Sequence, residues 1–195
     1  MRFLAFTCFS LAVVQSIVLS AFGAAVGCGL ETARWQDEID RVAASGGGRV
    51  TIPSGIHRIG GLQIRSNVEL HLEKEATLVF SDDVADCLPA VRTSWEGVEC
   101  LNHSPLLFAY EVENVAITGG GLIRPRMDFW RTWFTRPPAH MYATERLYHW
   151  CATNAPMASR DLMAIKGSNV RPHLIQFNRC TNVLIDGIRI KESPF

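Results

Sequence analysis

The sequence carries no excess of either charge. Lysine plus arginine and aspartate plus glutamate each number 19 in 195 residues. No global field therefore selects nucleic acid or an anionic membrane, and any preference for a charged ligand must come from a local cluster. Closely spaced cysteines are also missing. Of the six, Cys8 and Cys28 lie in or beside the apolar N-terminus, while Cys87, Cys100, Cys151 and Cys180 are scattered, which gives no zinc pattern. The last four read as small buried hydrophobes rather than disulfide partners. The glycine runs lack the Lys-Ser/Thr of a phosphate-cradling loop. His57, His71, His103, His140, His149 and His173 show no metal-ligand spacing. They read as solvated or locally bonded, so neither metal nor cofactor is expected. Charged residues are scarce, at 19% against 48% hydrophobic, which argues for a packed core and against disorder.

What is present begins with an apolar leader. Arg2 is the only charge before Glu31, and Phe3 to Gly27 is apolar or small apart from Gln15 and hydroxyls. A positive start, an apolar run and a small-residue end make a secretory signal. Cleavage sites are offered at Ala21-Phe22-Gly23 and Gly23-Ala24-Ala25. Residues 1–27 are thus expected to direct export to the periplasm or the extracellular space. The rival reading is a retained anchor, either the run itself or a lipid on Cys28, and it is the one route by which the chain would touch a membrane.

Residues 28–195 read as one domain. Trp35, Ile39, Val42 and Ala43 repeat at helical spacing behind a possible N-cap at Thr32, and Gly46-Gly47-Gly48 ends the run. The period then becomes two. Val50 and Ile52, Leu62 and Ile64, and Val68, Leu70 and Leu72 each alternate with polar residues between Gly, Asn, Ser and Pro. With no second helix alternating with the strands, a doubly wound fold is excluded.

An internal repeat follows. Leu106 to Ile123 lies over Leu174 to Lys191 without a gap, 68 positions on. Asn114-Val115-Ala116-Ile117-Thr118-Gly119 matches Asn182-Val183-Leu184-Ile185-Asp186-Gly187, and Asn67-Val68-Glu69-Leu70 is a shorter echo. Each unit is an asparagine, an alternating strand and a glycine turn. One such unit cannot bury its apolar face alone, but stacked units can. The asparagines either bond backbone locally or stack between coils. The fold expected is all-β: a single-stranded parallel solenoid, incomplete, with the helix capping its open end.

The 68-residue offset exceeds one coil. The excess falls in a stretch at about 124–172, rich in aromatics and arginines and interrupted by Pro137-Pro138. It reads as a long inserted loop with helical turns. Aromatic faces stack on sugars and guanidinium forks pair with carboxylates. The competing reading is that the tryptophans pack the loop onto the solenoid and the arginines are solvated. If substrate is touched here, Arg131, Trp133 and Arg136 are the candidates. Asn102-His103-Ser104 is a glycosylation acceptor where the source modifies asparagine.

Several motifs, in order, carry a family resemblance. Ala44 to Gly55, containing Gly46-Gly47-Gly48-Arg49-Val50 and Pro53-Ser54-Gly55, resembles the opening of the polygalacturonases of glycoside hydrolase family 28. Ser66 to Leu72 through Ser81-Asp82-Asp83 resembles the next coil, and Trp95 to Cys100 with Ser104-Pro105-Leu106 the third. Ile175-Gln176-Phe177, Asn182-Val183 and Lys191 to Phe195 resemble the coil before the active site. The resemblance implies a right-handed parallel β-helix of the pectin-lyase-like kind. It implies hydrolysis of a pectin or polygalacturonate substrate, with one carboxyl protonating the leaving oxygen and carboxylate activating water on the opposite face. The family's catalytic aspartates, in an Asn-Thr-Asp motif and an Asp-Asp pair, are expected beyond Phe195. None is placed in this chain, which is therefore expected to be inactive alone. Asp82-Asp83 reads as a turn with capping carboxylates, and Arg189-Ile190-Lys191 as a solvated strand face. The alternative is a β-helix carbohydrate-binding or cell-surface solenoid module without catalysis.

Overall fold

A computed structural model describes residues 30–168 and 170–195. The reading of residues 1–27 as signal or anchor, with Cys8, and the lipid alternative at Cys28 lie outside the described residues. Among the described residues no helix is long and apolar enough to cross a membrane.

Helix α1 (Thr32–Ala44) opens the domain and buries Trp35, Ile39 and Val42. Strands β1 (Gly48–Ile52), β2 (Gly55–Ile59) and β3 (Leu62–Gln63) make the first coil. The second has β4 (Val68–Leu72), β5 (Ala76–Phe80), then the pair β6 (Val91–Trp95) and β7 (Val98–Asn102), and finally β8 (Leu107–Tyr110). The third has β9 (Glu113–Gly119), β10 (Leu122–Pro125), helix α2 (Pro138–Ala152) and β11 (Ile175–Asn178), and β12 (Thr181–Ile185) and β13 (Arg189–Ile190) start a fourth. Three parallel sheets result, ordered β1-β4-β9-β12, β13-β10-β5-β2 and β11-β8-β3. This is the parallel β-helix.

Alternation becomes stacking. In the first sheet Val50, Leu70, Ile117 and Ile185 are consecutive partners. In the second, His57, Leu78, Ile123 and Ile190 are. Most strands bury alternate side chains between the coils, at about 2–3 kcal/mol per fully buried aliphatic side chain, whereas β8 buries Leu107, Phe108 and Ala109 in succession and β12 is exposed throughout. Ile185 and Ile190, in the fourth coil, are 47% and 52% exposed. At the other end, α1 closes the stack over the first coil.

Several sequence expectations are corrected. Thr32 does not cap α1. Its hydroxyl accepts from the Gly60 amide at 2.6 Å and pins the helix to the first coil. The gapless superposition holds through β12 (Val115 opposite Val183), but β13 pairs one residue earlier, Ile123 with Ile190. Trp95 to Cys100 is no solenoid coil. It belongs to the antiparallel hairpin β6–β7, whose turn residues Glu96 and Gly97 both have positive φ, the hairpin-turn geometry that matches strand twist.

The coil offsets locate the insertions. Arg49 pairs with Glu69, Glu69 with Ala116, and Val115 with Val183. A bare coil therefore takes 20 residues. The excess in the second coil lies within 81–106 and that in the third within 126–174, so both insertions leave the helix at the corner between the second and third sheets. They join there. The Leu101 amide donates to the Arg160 carbonyl at 2.8 Å, and Leu101 bridges Asp161 in parallel. Between them Trp95, Cys100, Trp130, Trp133, Ala143, Leu147 and Leu162 are buried, continuous with the solenoid core. The stretch expected as a loop with helical turns holds a 15-residue helix. Pro138 starts that helix, because an N-terminal proline has no hydrogen bond to lose and its φ is already helical.

Burial also corrects smaller readings. Asn102 is 1% exposed, so it is closed to glycosylation in the fold. His103 and His140 are buried, each with one ring nitrogen lacking a partner, rather than solvated or fully bonded. Cys87 and Cys100 are buried as expected, Cys180 is half-buried and Cys151 is exposed; all four are free thiols.

Candidate functional site

The wall built by the two insertions stands against the third sheet. Hairpin β6–β7 is tied there by Gln176, whose amide donates to Ser94 Oγ at 3.1 Å and whose Oε1 accepts from the Thr93 hydroxyl. His173 Nε2 bonds the Ser94 carbonyl at 2.8 Å. Trp95, at the end of β6, stacks on Phe195 with ring centroids 5.4 Å apart, and His173 meets Phe195 edge-on. His140 of α2 stands edge-on to Trp95 and Trp133.

Over these rings lies Arg171. Its guanidinium carbon is 5.2 Å from the Phe195 centroid, 5.7 Å from Trp133 and 5.8 Å from Phe134. Such contacts are cation–π interactions. Its Nε is buried without a hydrogen-bond partner. Burial lowers the Arg171 pKa, against the attraction of Glu96. Glu96 itself accepts from the Tyr148 hydroxyl at 2.6 Å. Burial is also the main cause that takes His140 down to about 4, helped by Arg171 and Arg136 and opposed by Glu96. His173 is lowered by burial, partly offset by its bond to the Ser94 carbonyl. At neutral pH both imidazoles are uncharged, and the site's cations are guanidiniums.

The three residues singled out from sequence fall in different settings. Trp133 is 4% exposed and packs beneath Arg171. Arg131 is exposed, and its guanidinium donates to Glu192 at 2.7 Å. Arg136 is exposed and left-handed, φ +48°, with its amide bonded to the Trp133 carbonyl. The structure thus sets Trp133 beneath Arg171, places Arg136 as well as Arg171 within electrostatic reach of His140, and turns Arg131 towards Glu192. Arg171, Glu96, Trp95 and Phe195 were missed. They come from three separate segments, and the one sequence hint was that Arg171 falls at the end of the arginine-rich inserted stretch.

The carboxylates considered from sequence have other partners. Asp82 accepts from the Phe129 amide at 3.1 Å and lies 3.5 Å from Arg126. Asp83 caps the short turn Val84–Cys87 by accepting from the Ala85 amide. Arg189 donates to the Gly120 and Lys74 carbonyls and serves the turn between sheets. Among the described residues no cluster of three metal-ligating side chains occurs.

The structure is similar to that of a hyperthermoactive exopolygalacturonase from Thermotoga maritima. The match has 33% identity and a TM-score of 0.78 over 84% of this chain and 38% of that one. The chain is thus similar to polygalacturonases in fold and in sequence. A probable polygalacturonase of Vitis vinifera is 26% identical over 184 residues, 86% of this chain and 35% of its own length. An exo-poly-alpha-D-galacturonosidase of Dickeya chrysanthemi is 31% identical over 121 residues, 57% of this chain and 20% of its own. The chain thus spans about a third or less of the curated polygalacturonase relatives it matches. A family 28 exopolygalacturonase of Yersinia enterocolitica shares the fold, at 22% identity and a TM-score of 0.56. No family model matches the chain.

Proposed function

We propose that this chain forms the opening coils and the flanking wall of a hydrolase acting on galacturonan-type polysaccharide, the pectin or polygalacturonate class. The observation that carries the reading is the 33% identity and TM-score of 0.78 to an exopolygalacturonase across 84% of the chain. The chemistry is the inverting one, with a carboxylic acid and a carboxylate on opposite faces of the sugar and room for water between them. That pair is expected from family segments with no counterpart among these residues. This chain's contribution is a rigid stack and a wall that carries permanently charged guanidiniums. Export belongs to the same proposal, resting on residues 1–27 alone; fractionation of expressing cells is its check.

The test is retention on immobilised polygalacturonate, compared with cellulose, together with an assay for new reducing ends. Selective retention on polygalacturonate without release of reducing ends is expected from this chain alone. Equal retention on cellulose, or none on either, would remove the galacturonan reading. Reducing ends released by the pure chain would show that it carries an acid–base pair of its own.

A further inference from the structure

Around the insertion wall several arginines have acidic partners. Arg131 pairs with Glu192, Arg126 with Asp82 and Asp128, Arg92 with Glu99, and Arg179 with Glu99 and Glu111. Arg146 lies over the Trp150 ring and Arg160 donates to the Ala155 carbonyl, while Arg171 and Arg136, like Arg124 at the foot of the wall, have no ion pair among the described residues. Arg171 is the more unusual, since a half-buried guanidinium has lost water, and its buried Nε has found no acceptor. A charge desolvated in this way costs free energy until an anion supplies the missing hydrogen bonds. The nearby acid, Glu96, is held by Tyr148. Beside Arg171 the ring of Phe134 is 70% exposed, an apolar surface of the kind a sugar ring covers. Arg136 sits two residues further on, with its backbone fixed by the bond to Trp133.

We propose that Arg171 and Arg136, beside the open ring of Phe134, form a subsite for the carboxylate of a uronic acid unit. The carboxylate accepts from the guanidinium forks, in the paired geometry that arginine provides and lysine does not. The sugar ring lies on Phe134. The charge pattern selects the free acid over its methyl ester, because the ester has no negative charge to set against two unpartnered cations. The proposal rests on the galacturonan reading and deepens it by assigning the acid-recognising residues.

The test measures binding of trigalacturonic acid, its fully methyl-esterified form and a neutral galactose trisaccharide to the full chain by calorimetry, with acetate as a sugar-free carboxylate. The free acid is expected to bind at least tenfold more tightly than the ester, the neutral sugar or acetate. Arg136→Gln is a surface change and should weaken binding of the acid about tenfold or more, leaving the ester unchanged. Arg171→Lys keeps the charge over the rings but loses the fork, and should narrow the preference for acid over ester. Thermal melts of both variants confirm that they fold. Retention of the full preference in both folded variants overturns the subsite while leaving the galacturonan reading intact. Failure of the wild-type chain to bind polygalacturonate overturns both.

Discussion

The side-chain amide of Asn114 donates to Asn67 Oδ1 at 2.8 Å across 47 residues of sequence. Asn182 repeats the contact one coil on, donating to Asn114 Oδ1 at 2.9 Å. All three have φ between +55° and +62°, a left-handed conformation that asparagine tolerates better than most residues. Of the two uses open to these asparagines from sequence, local backbone bonding or a ladder between coils, the ladder is the one formed. Gly47 begins it, because a Cβ there would lie 2.4 Å from the Asn67 carbonyl oxygen.

Asn114→Ala should therefore lose two side-chain hydrogen bonds and leave alanine in a left-handed turn. The expected cost is about 1–3 kcal/mol, modest because the ladder is exposed. Asn114→Gly loses the same bonds without the backbone penalty and should be about 1 kcal/mol milder. Denaturant unfolding of the three proteins provides the comparison. Equal stability of the alanine variant and the wild type would mean that the ladder contributes nothing.

Gly119 ends β9 at φ +101°, and a Cβ there would stand 2.0 Å from the Leu72 carbonyl oxygen of the coil below. Gly119→Ala combines a forbidden backbone angle with a clash against main chain that cannot swing away. A loss of roughly 3 kcal/mol or more is expected. A melting temperature within a degree or two of wild type would contradict the close approach of the coils.

His140 gives the protein an acid sensitivity above the carboxylate range. Its folded pKa, about 4, is below the reference value of 6.5. Between those values the unfolded chain takes up a proton that the folded chain refuses, so stability is complete above about pH 6.5 and falls as pH drops towards 4. His103 and His173 are shifted downwards too, mainly by burial, and add in the same direction. Glu69, lowered by its bonds to Thr118 and Arg49, acts in a lower window, beneath the carboxylate reference of 4.5. His140→Phe keeps a ring against Trp133 and removes one titration. Its melting temperature should fall less between pH 6.5 and pH 5 than that of the wild type, and parallel curves would show that His140 is not the group responsible.

Thiol chemistry separates the cysteines. Burial pushes the Cys87 and Cys100 thiols up to about 12, so at neutral pH they are protonated and shielded, whereas Cys151 is exposed. In a Cys8→Ser, Cys28→Ser background, a disulfide reagent should label Cys151 first, while Cys87 and Cys100 wait for unfolding. Prompt labelling of Cys87 in the native protein would contradict the packing beneath its turn.

The solenoid was legible because its rule is local. Val68, Leu70 and Leu72 alternate, an asparagine precedes them and a glycine closes the equivalent later strands, so the repeat declares both the period and the need for stacking. Helix α2 was less legible. Its buried positions are His140, Ala143 and Leu147, a thin stripe that begins with a polar side chain, and Pro137-Pro138 looks like a break when it is a start. The β6–β7 hairpin was hidden for a related reason: its turn is Glu96-Gly97, where Asn-Gly or Asp-Gly would have announced it.

Sequence alone determined the parallel solenoid, its cap at Trp35, Ile39 and Val42, and the place where the rhythm breaks, because period, turn residues and repeat spacing are properties of neighbouring positions. It also supplied the resemblance to polygalacturonases. Tertiary structure decided which cations remain free. Arg131 and Arg171 are equivalent on paper, but Glu192 comes back to meet one across 61 residues, while aromatic rings from two segments lie against the other. Charge pairing and desolvation depend on what the fold brings within a few ångströms, and no local pattern encodes that.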